Sequence, residues 1–129
     1  MHECAYIVIS KDGEYMGSKY DPQACSKLIQ DNIDFEFFKT LLDPVRTEIL
    51  LYLVSNGIKN IKEIAENFSQ DRSVISRHLD LMYRYGIVDK TKENRNIYYE
   101  AKSMFVIDKF DQTTNNIKNL LSLTLKSKE

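Results

Sequence analysis

No stretch of this chain approaches the roughly 18–20 consecutive apolar residues that a membrane-spanning helix needs, and no secretory leader opens it. The sequence therefore reads as that of a cytoplasmic protein. Only two cysteines occur, Cys4 and Cys25, too few for a secreted disulfide framework. An excess of one charge is also missing. With 18 Lys and Arg against 19 Asp and Glu, the chain as a whole is no polycation that coats nucleic acid. Catalytic signatures are lacking too: there is no G-x-S-x-G, no glycine-rich phosphate loop and no H-E-x-x-H. His2 is terminal, and His78 sits inside a helical segment, where packing or a phosphate-side position suits it better than general-base chemistry. An enzyme is not expected, nor a cofactor. Internal repeats and low-complexity tracts are absent.

What remains is an ordinary globular composition, 43% hydrophobic and 29% charged over 129 residues, enough for a modest core that a dimer interface would help. Charge is unevenly spread. Residues 70–102 carry seven Lys/Arg against five Asp/Glu, whereas residues 1–36 carry three Lys against seven Asp/Glu. We divide the chain into an N-terminal extension, 1–33, and a main domain, 34–129. In the extension, residues 4–10 are β-branched and aromatic enough for a strand, Lys11–Glu14 signals a turn, and Tyr15-Met16 begins a return strand. Asp21-Pro22 then starts a helix running to about Gln30 and burying Ala24, Leu28 and Cys25. Asp34 caps a helix with the apolar stripe Phe35, Phe38, Leu41 and Leu42. Asp43-Pro44 starts another, with Val45, Ile49, Leu50 and Leu53 inward and Asn56-Gly57 at its end. Arg46, in the first turn of that helix, either pairs with Asp43 or Glu48 or contacts a phosphate.

The informative stretch is Asn60–Ala101. Ile61, Ile64, Ala65 and Phe68 define a short amphipathic helix, Ser69-Gln70-Asp71 a polar break, and Arg72–Tyr85 a second helix with Asp71 as N-cap and Gly86 at C′. Two β-rich runs follow, Ile87–Lys92 and Asn96–Ala101, separated by Glu93-Asn94-Arg95. Helix, turn, helix and hairpin in this order make a winged helix-turn-helix with a two-stranded wing, so the fold class is mainly α (α+β). Ile75, Leu79 and Met82 face the core; Ser73, Ser76, Arg77, Asp80 and Arg84 lie roughly opposite, where a recognition helix carries its DNA contacts. With Arg72, and with Lys90, Lys92 and Arg95 of the wing, they form the candidate DNA-binding set; Arg95 is the best placed to enter a minor groove. The alternative for each is a solvated charged surface. From Ser103 to about Leu125 a last helix carries a long apolar face, including Val106, Phe110, Ile117 and Leu121.

The segments D-P-V-R-T-E-I-L-L-Y-L, I-K-E-I-A-E-N-F, S-V-I-S-R-H-L-D-L-M-Y-R-Y-G-I-V and N-I-Y-Y resemble the ArsR/SmtB family of winged-helix repressors over about residues 35–125. That resemblance implies a homodimer paired through the last helix and the helix at 35–42. Phe35, Phe38, Val106, Phe110, Ile117 and Leu121 would lie at the interface. It also implies a repressor that binds double-stranded DNA at an inverted repeat and releases it on binding an effector. The thiolate and His/carboxylate metal sites of that family lack their ligands here: the 61–66 segment has no cysteine, and Asp108 and Asp111 have no histidine beside them. No metal site is expected, and the effector is open. Cys4 and Cys25 read as small buried hydrophobes, as a reversible disulfide or as soft-metal ligands. A different class of function, a winged-helix module that docks proteins without reading DNA, fits the small basic excess and the acidic Asp80.

Overall fold

The computed structural model describes residues 5–9, 15–20 and 22–126, with side chains described from residue 22 to residue 122. The elements in chain order are β1 (Ala5–Ile9), β2 (Tyr15–Tyr20), α1 (Pro22–Asn32), α2 (Phe35–Leu41), α3 (Pro44–Asn56) and β3 (Lys59–Asn60). They continue with α4 (Ile61–Ala65), α5 (Arg72–Arg84), β4 (Val88–Glu93), β5 (Asn96–Ala101) and α6 (Ser103–Lys126). The chain divides into two compact units, one of Glu36–Lys109 and one joining the N-terminal part through Phe35 to α6 from Phe110 onward.

The first unit is a winged helix-turn-helix, and local chemistry sets each boundary. Asp43 caps α3, its Oδ2 accepting from the amides of Val45 at 3.1 Å and Arg46 at 3.2 Å, while Pro44 occupies the first turn, where no amide donor is needed. Asn60 and Glu63 close a reciprocal capping box on α4, the Glu63 amide donating to Asn60 Oδ1 at 2.8 Å and the Asn60 amide to Glu63 Oε1 at 3.0 Å. At the end of α5 the Gly86 amide donates to the Tyr83 carbonyl at 3.1 Å and the Ile87 amide to the Met82 carbonyl at 2.9 Å. This is a Schellman closure, which requires the left-handed φ of +80° that Gly86 adopts.

The core of this unit joins Ile49 and Leu53 of α3, Ile64 of α4, Ile75, Leu79 and Met82 of α5, Ile87, Val88 and Tyr99. Full burial of each such aliphatic side chain contributes about 1.5–3 kcal/mol relative to exposure. The three α5 residues are the inward stripe expected from their spacing, so the opposite face of that helix must point to solvent.

Three expectations are corrected. In α2 the inward residues are Phe37, Thr40 and Leu41, whereas Phe35 and Leu42 are exposed and Phe38 is half-buried. Seven residues make only two turns, so one narrow strip can be buried, and Thr40 joins it because its hydroxyl donates to the Glu36 carbonyl at 2.8 Å. The wing is the expected two-stranded ribbon of β4 and β5, and at its root a short third strand joins the sheet, β3 pairing antiparallel with β5 through Lys59–Tyr99 and Asn60–Tyr98. Asp71 stands at the N-cap of α5, yet its side chain makes no capping bond; its carbonyl accepts from Val74 and Ile75 instead. Regular α4 stops at Ala65, leaving Phe68 in the following turn with its ring edge-on to Tyr52, centroids 6.2 Å apart.

In the second unit, β1 and β2 form the expected antiparallel hairpin, from Ala5–Tyr20 to Ile9–Tyr15, with an irregularity at Val8–Ile9. Its turn, Asp21 and Cys4 lie outside the described residues. Helix α1 runs two residues beyond Gln30, and within this unit Asn116 Nδ2 of α6 donates to the Asn32 carbonyl at 2.8 Å. No helix among the described residues is long and apolar enough to cross a membrane.

Candidate nucleic-acid interface

Helix α5 turns Arg72, Ser73, Arg77, Asp80 and Arg84 to solvent and leaves Ser76 half-buried. Beside it, β4 and β5 pair in register from Val88–Ala101 to Glu93–Asn96, so the wing closes on a two-residue turn, Asn94-Arg95. Asn94 takes the left-handed conformation there, φ 58°, which asparagine tolerates better than other side-chain-bearing residues. The turn carries Arg95 at the tip, and Lys92 stands one pair below it. Both are exposed.

The cations of this surface fall into two groups. Arg72, Arg77, Arg84, Lys92 and Arg95 make no ion pair among the described residues. Arg84 also complements the carboxyl end of α5, a role that needs no ligand. Lys90 differs: its Nζ lies 3.9 Å from Asp80 Oδ1 and 4.8 Å from the centre of the Tyr83 ring. It ties the base of the wing to α5 instead of standing free. The pair is partly exposed and contributes little to stability, of order 0–1 kcal/mol, but it answers the acidic group that had counted against DNA binding on this face. Behind the sheet Tyr99 is buried, and this burial, with the Asp80 charge as a smaller cause, raises its phenol pKa above the ordinary 10.0.

Sequence reasoning missed Tyr83 as a platform for Lys90, although an exposed aromatic one turn from Asp80 was the available signal. It also left Arg46 open. The guanidinium is engaged inside the fold: Nε donates to the Thr40 carbonyl at 2.7 Å, Nη1 to His78 Nδ1 at 3.1 Å, and Nη2 lies 3.8 Å from Asp43 Oδ1. These bonds tie the end of α2, the start of α3 and helix α5 together.

Of the residues expected at a dimer interface, Phe35, Phe110, Ile117 and Leu121 are exposed, whereas Phe38 and Val106 pack against the core of the first unit. Met104 and Ile107, outside the apolar face read from the sequence, are exposed as well, Met104 to 66%. Cys25 is a free thiol, 7% exposed. Among the described residues no three His, Cys, Asp or Glu side chains gather to hold a metal ion.

A family model described as "Bacterial regulatory protein, arsR family" matches residues 43–90, from the Asp43 cap through the root of the wing. An uncharacterized HTH-type transcriptional regulator of Methanocaldococcus jannaschii is 37% identical over 65 residues, which is 50% of this chain and 73% of that protein. This chain belongs to the ArsR family. A further relative is the transcriptional repressor SdpR of Bacillus subtilis, 29% identical over 80 residues, covering 62% of this chain and 88% of that protein. The fold matches the crystal structure of NolR from Sinorhizobium fredii with a TM-score of 0.56 at 22% identity, over 75% of this chain and 93% of that one. An ArsR-family chain is a regulatory protein, and its winged-helix surface is where the family's chemistry is to be sought.

Proposed function

We propose that this protein is a homodimeric repressor that reads a short inverted-repeat operator in double-stranded DNA. The observation that carries the reading is the set of exposed cations on α5 and the wing, Arg72, Arg77, Arg84, Lys92 and Arg95, that make no ion pair among the described residues, beside short hydroxyls that let the backbone approach phosphates. Ser73, Ser76 and Arg77 face the major groove, Arg95 the adjacent minor groove, and Arg72, Arg84 and Lys92 the phosphates. Lys90 holds the wing against α5 through Asp80. The exposed apolar side chains of α6, with Phe35, support pairing of two chains about a two-fold axis. Such pairing sets the two recognition helices about one DNA turn, ~34 Å, apart, which is what an inverted repeat presents.

The test is titration of the full chain into a labelled duplex from upstream of its own gene, with non-specific competitor, at about 50 and about 200 mM salt. Saturable binding that survives competitor and weakens steeply with salt is expected. Arg77→Ala should lower affinity by about 1–3 kcal/mol and relax sequence preference if it reads a base; a uniform loss across sequences makes it a phosphate contact. Sedimentation should give a dimer, and Ile117→Asp a monomer. Absence of DNA binding from every upstream segment would refute the proposal in favour of a protein-docking module.

A further inference from the structure

The bond between Arg46 and His78 has only one polarity. Arginine offers five N–H donors, has no acceptor and stays protonated in proteins, so at 3.1 Å it is His78 Nδ1 that accepts from Arg46 Nη1. A neutral imidazole whose Nδ1 accepts carries its proton on Nε2. A doubly protonated ring would turn an N–H toward the guanidinium and lose the bond. Arg46 cannot easily swing away, because Thr40 and Asp43 hold the other edges of its fork.

The far side of the ring is free. His78 makes no other hydrogen bond among the described residues, and no buried side-chain nitrogen or oxygen there lacks a partner, so Nε2 reaches solvent. Its place on α5 follows from the helical repeat. Ile75, Leu79 and Met82 mark the buried side, Ser73, Arg77 and Arg84 the outermost stripe, and His78 falls on the flank between them. When a helix lies in a major groove, its outermost stripe meets base edges and its flanks meet the phosphate walls.

We propose that Arg46 holds His78 as the Nε2–H tautomer and that this N–H donates to a phosphate oxygen of bound DNA, with Arg46 acting as a positioning residue. The proposal rests on the DNA-reading function above and deepens it. A neutral donor has a property that distinguishes it from every lysine and arginine of the surface: it adds affinity without releasing a counterion. Loss of such a contact weakens binding equally at low and high salt.

Two amide substitutions separate the two ring nitrogens. Asparagine places a carbonyl near the position of Nδ1 and can accept from Arg46, but nothing on it reaches as far as Nε2. Glutamine places its N–H2 near Nε2. His78→Asn should therefore lower affinity about tenfold with an unchanged salt slope, whereas His78→Gln should stay within about threefold of wild type. Lys92→Ala, at a position assigned to a phosphate, should in contrast reduce the salt slope by about one. Long-range 1H–15N correlation of the free full-length protein should show the proton on His78 Nε2, and Arg46→Met should release the ring into a mixture of tautomers. His78→Asn binding as wild type, a salt slope altered by that variant, or a proton resident on Nδ1 would each overturn the proposal. Failure of the wild type to bind any duplex would overturn the DNA-reading function and this contact with it. The tautomer spectrum would still report the Arg46–His78 bond, so the two failures are distinguishable.

Discussion

Replacing Gly86 with alanine probes the junction between α5 and α6. Two terms add. An L-residue held at φ +80° costs about 1–2 kcal/mol. A Cβ built there would lie 2.8 Å from Cε2 and 3.0 Å from Cζ of Phe105, whereas carbon–carbon contact is favourable only from about 3.5 Å, so the ring must retreat by roughly 0.7 Å. Phe105 is 36% exposed and has solvent to move into, but the move disturbs its edge contact with Phe37, whose centroid is 6.0 Å away. Such a contact is worth about 0.5–1.5 kcal/mol, and a partial loss is expected. Alanine also restricts the unfolded chain, which offsets about 0.4–1 kcal/mol. The net destabilisation should be about 1–2.5 kcal/mol, read as a lower urea midpoint at fixed protein concentration. In a Phe105→Ala background the clash is gone and Gly86→Ala should cost about 0.5–1 kcal/mol less. Equal cost in both backgrounds would refute the steric part of the reasoning; a wild-type midpoint for the single variant would refute the whole.

Two further outcomes are expected. Tyr99 has its folded-state pKa raised by burial first and by Asp80 second, so its contribution to stability is fully present below 10.0 and is lost as pH rises through the higher folded value. Tyr99→Phe should flatten the fall in urea midpoint above pH ~10, and Asp80→Asn should flatten it less; identical pH profiles for wild type and Tyr99→Phe would count against this assignment. A double-mutant cycle on Asp80→Asn and Lys90→Met should give a coupling below about 1 kcal/mol that disappears at high salt, since the pair is partly exposed. A salt-insensitive coupling of several kcal/mol would show the pair to be desolvated.

The elements that could be read from the sequence are those with local instructions. Asp43-Pro44 and Gly57 bracket α3, Gly86 ends α5, and the 3.6-residue repeat of Ile75, Leu79 and Met82 sorts α5 into a buried and an exposed face without knowledge of any neighbour. The same repeat identified the exposed Arg77 and Arg84. Elsewhere the information is not local. Three phenylalanines among the first four residues of α2 let its inward strip start at any of them, and the core of the first unit selects Phe37. Strand β3 is only two residues long and exists because β5, far along the chain, offers it partners. The Arg46–His78 bond spans 32 positions, which no spacing rule covers. Lys90 and Lys92 look alike in the sequence, yet Lys90 Nζ lies 3.9 Å from Asp80 Oδ1 while Lys92 makes no ion pair among the described residues.

The wing is clamped at its root and free at its tip. Lys59 and Asn60 flank β5 only opposite Tyr99 and Tyr98, while beyond them the ribbon continues as two strands through Lys92–Ile97 and Glu93–Asn96 to the Asn94-Arg95 turn. Mechanically this is a cantilever, and a two-stranded ribbon has little rigidity of its own. Amide hydrogen exchange should accordingly be graded along it, fastest at the tip and slowest beside Tyr99. Any force applied at Arg95 is delivered as a bending moment at Tyr98 and Tyr99, where the ribbon enters the core.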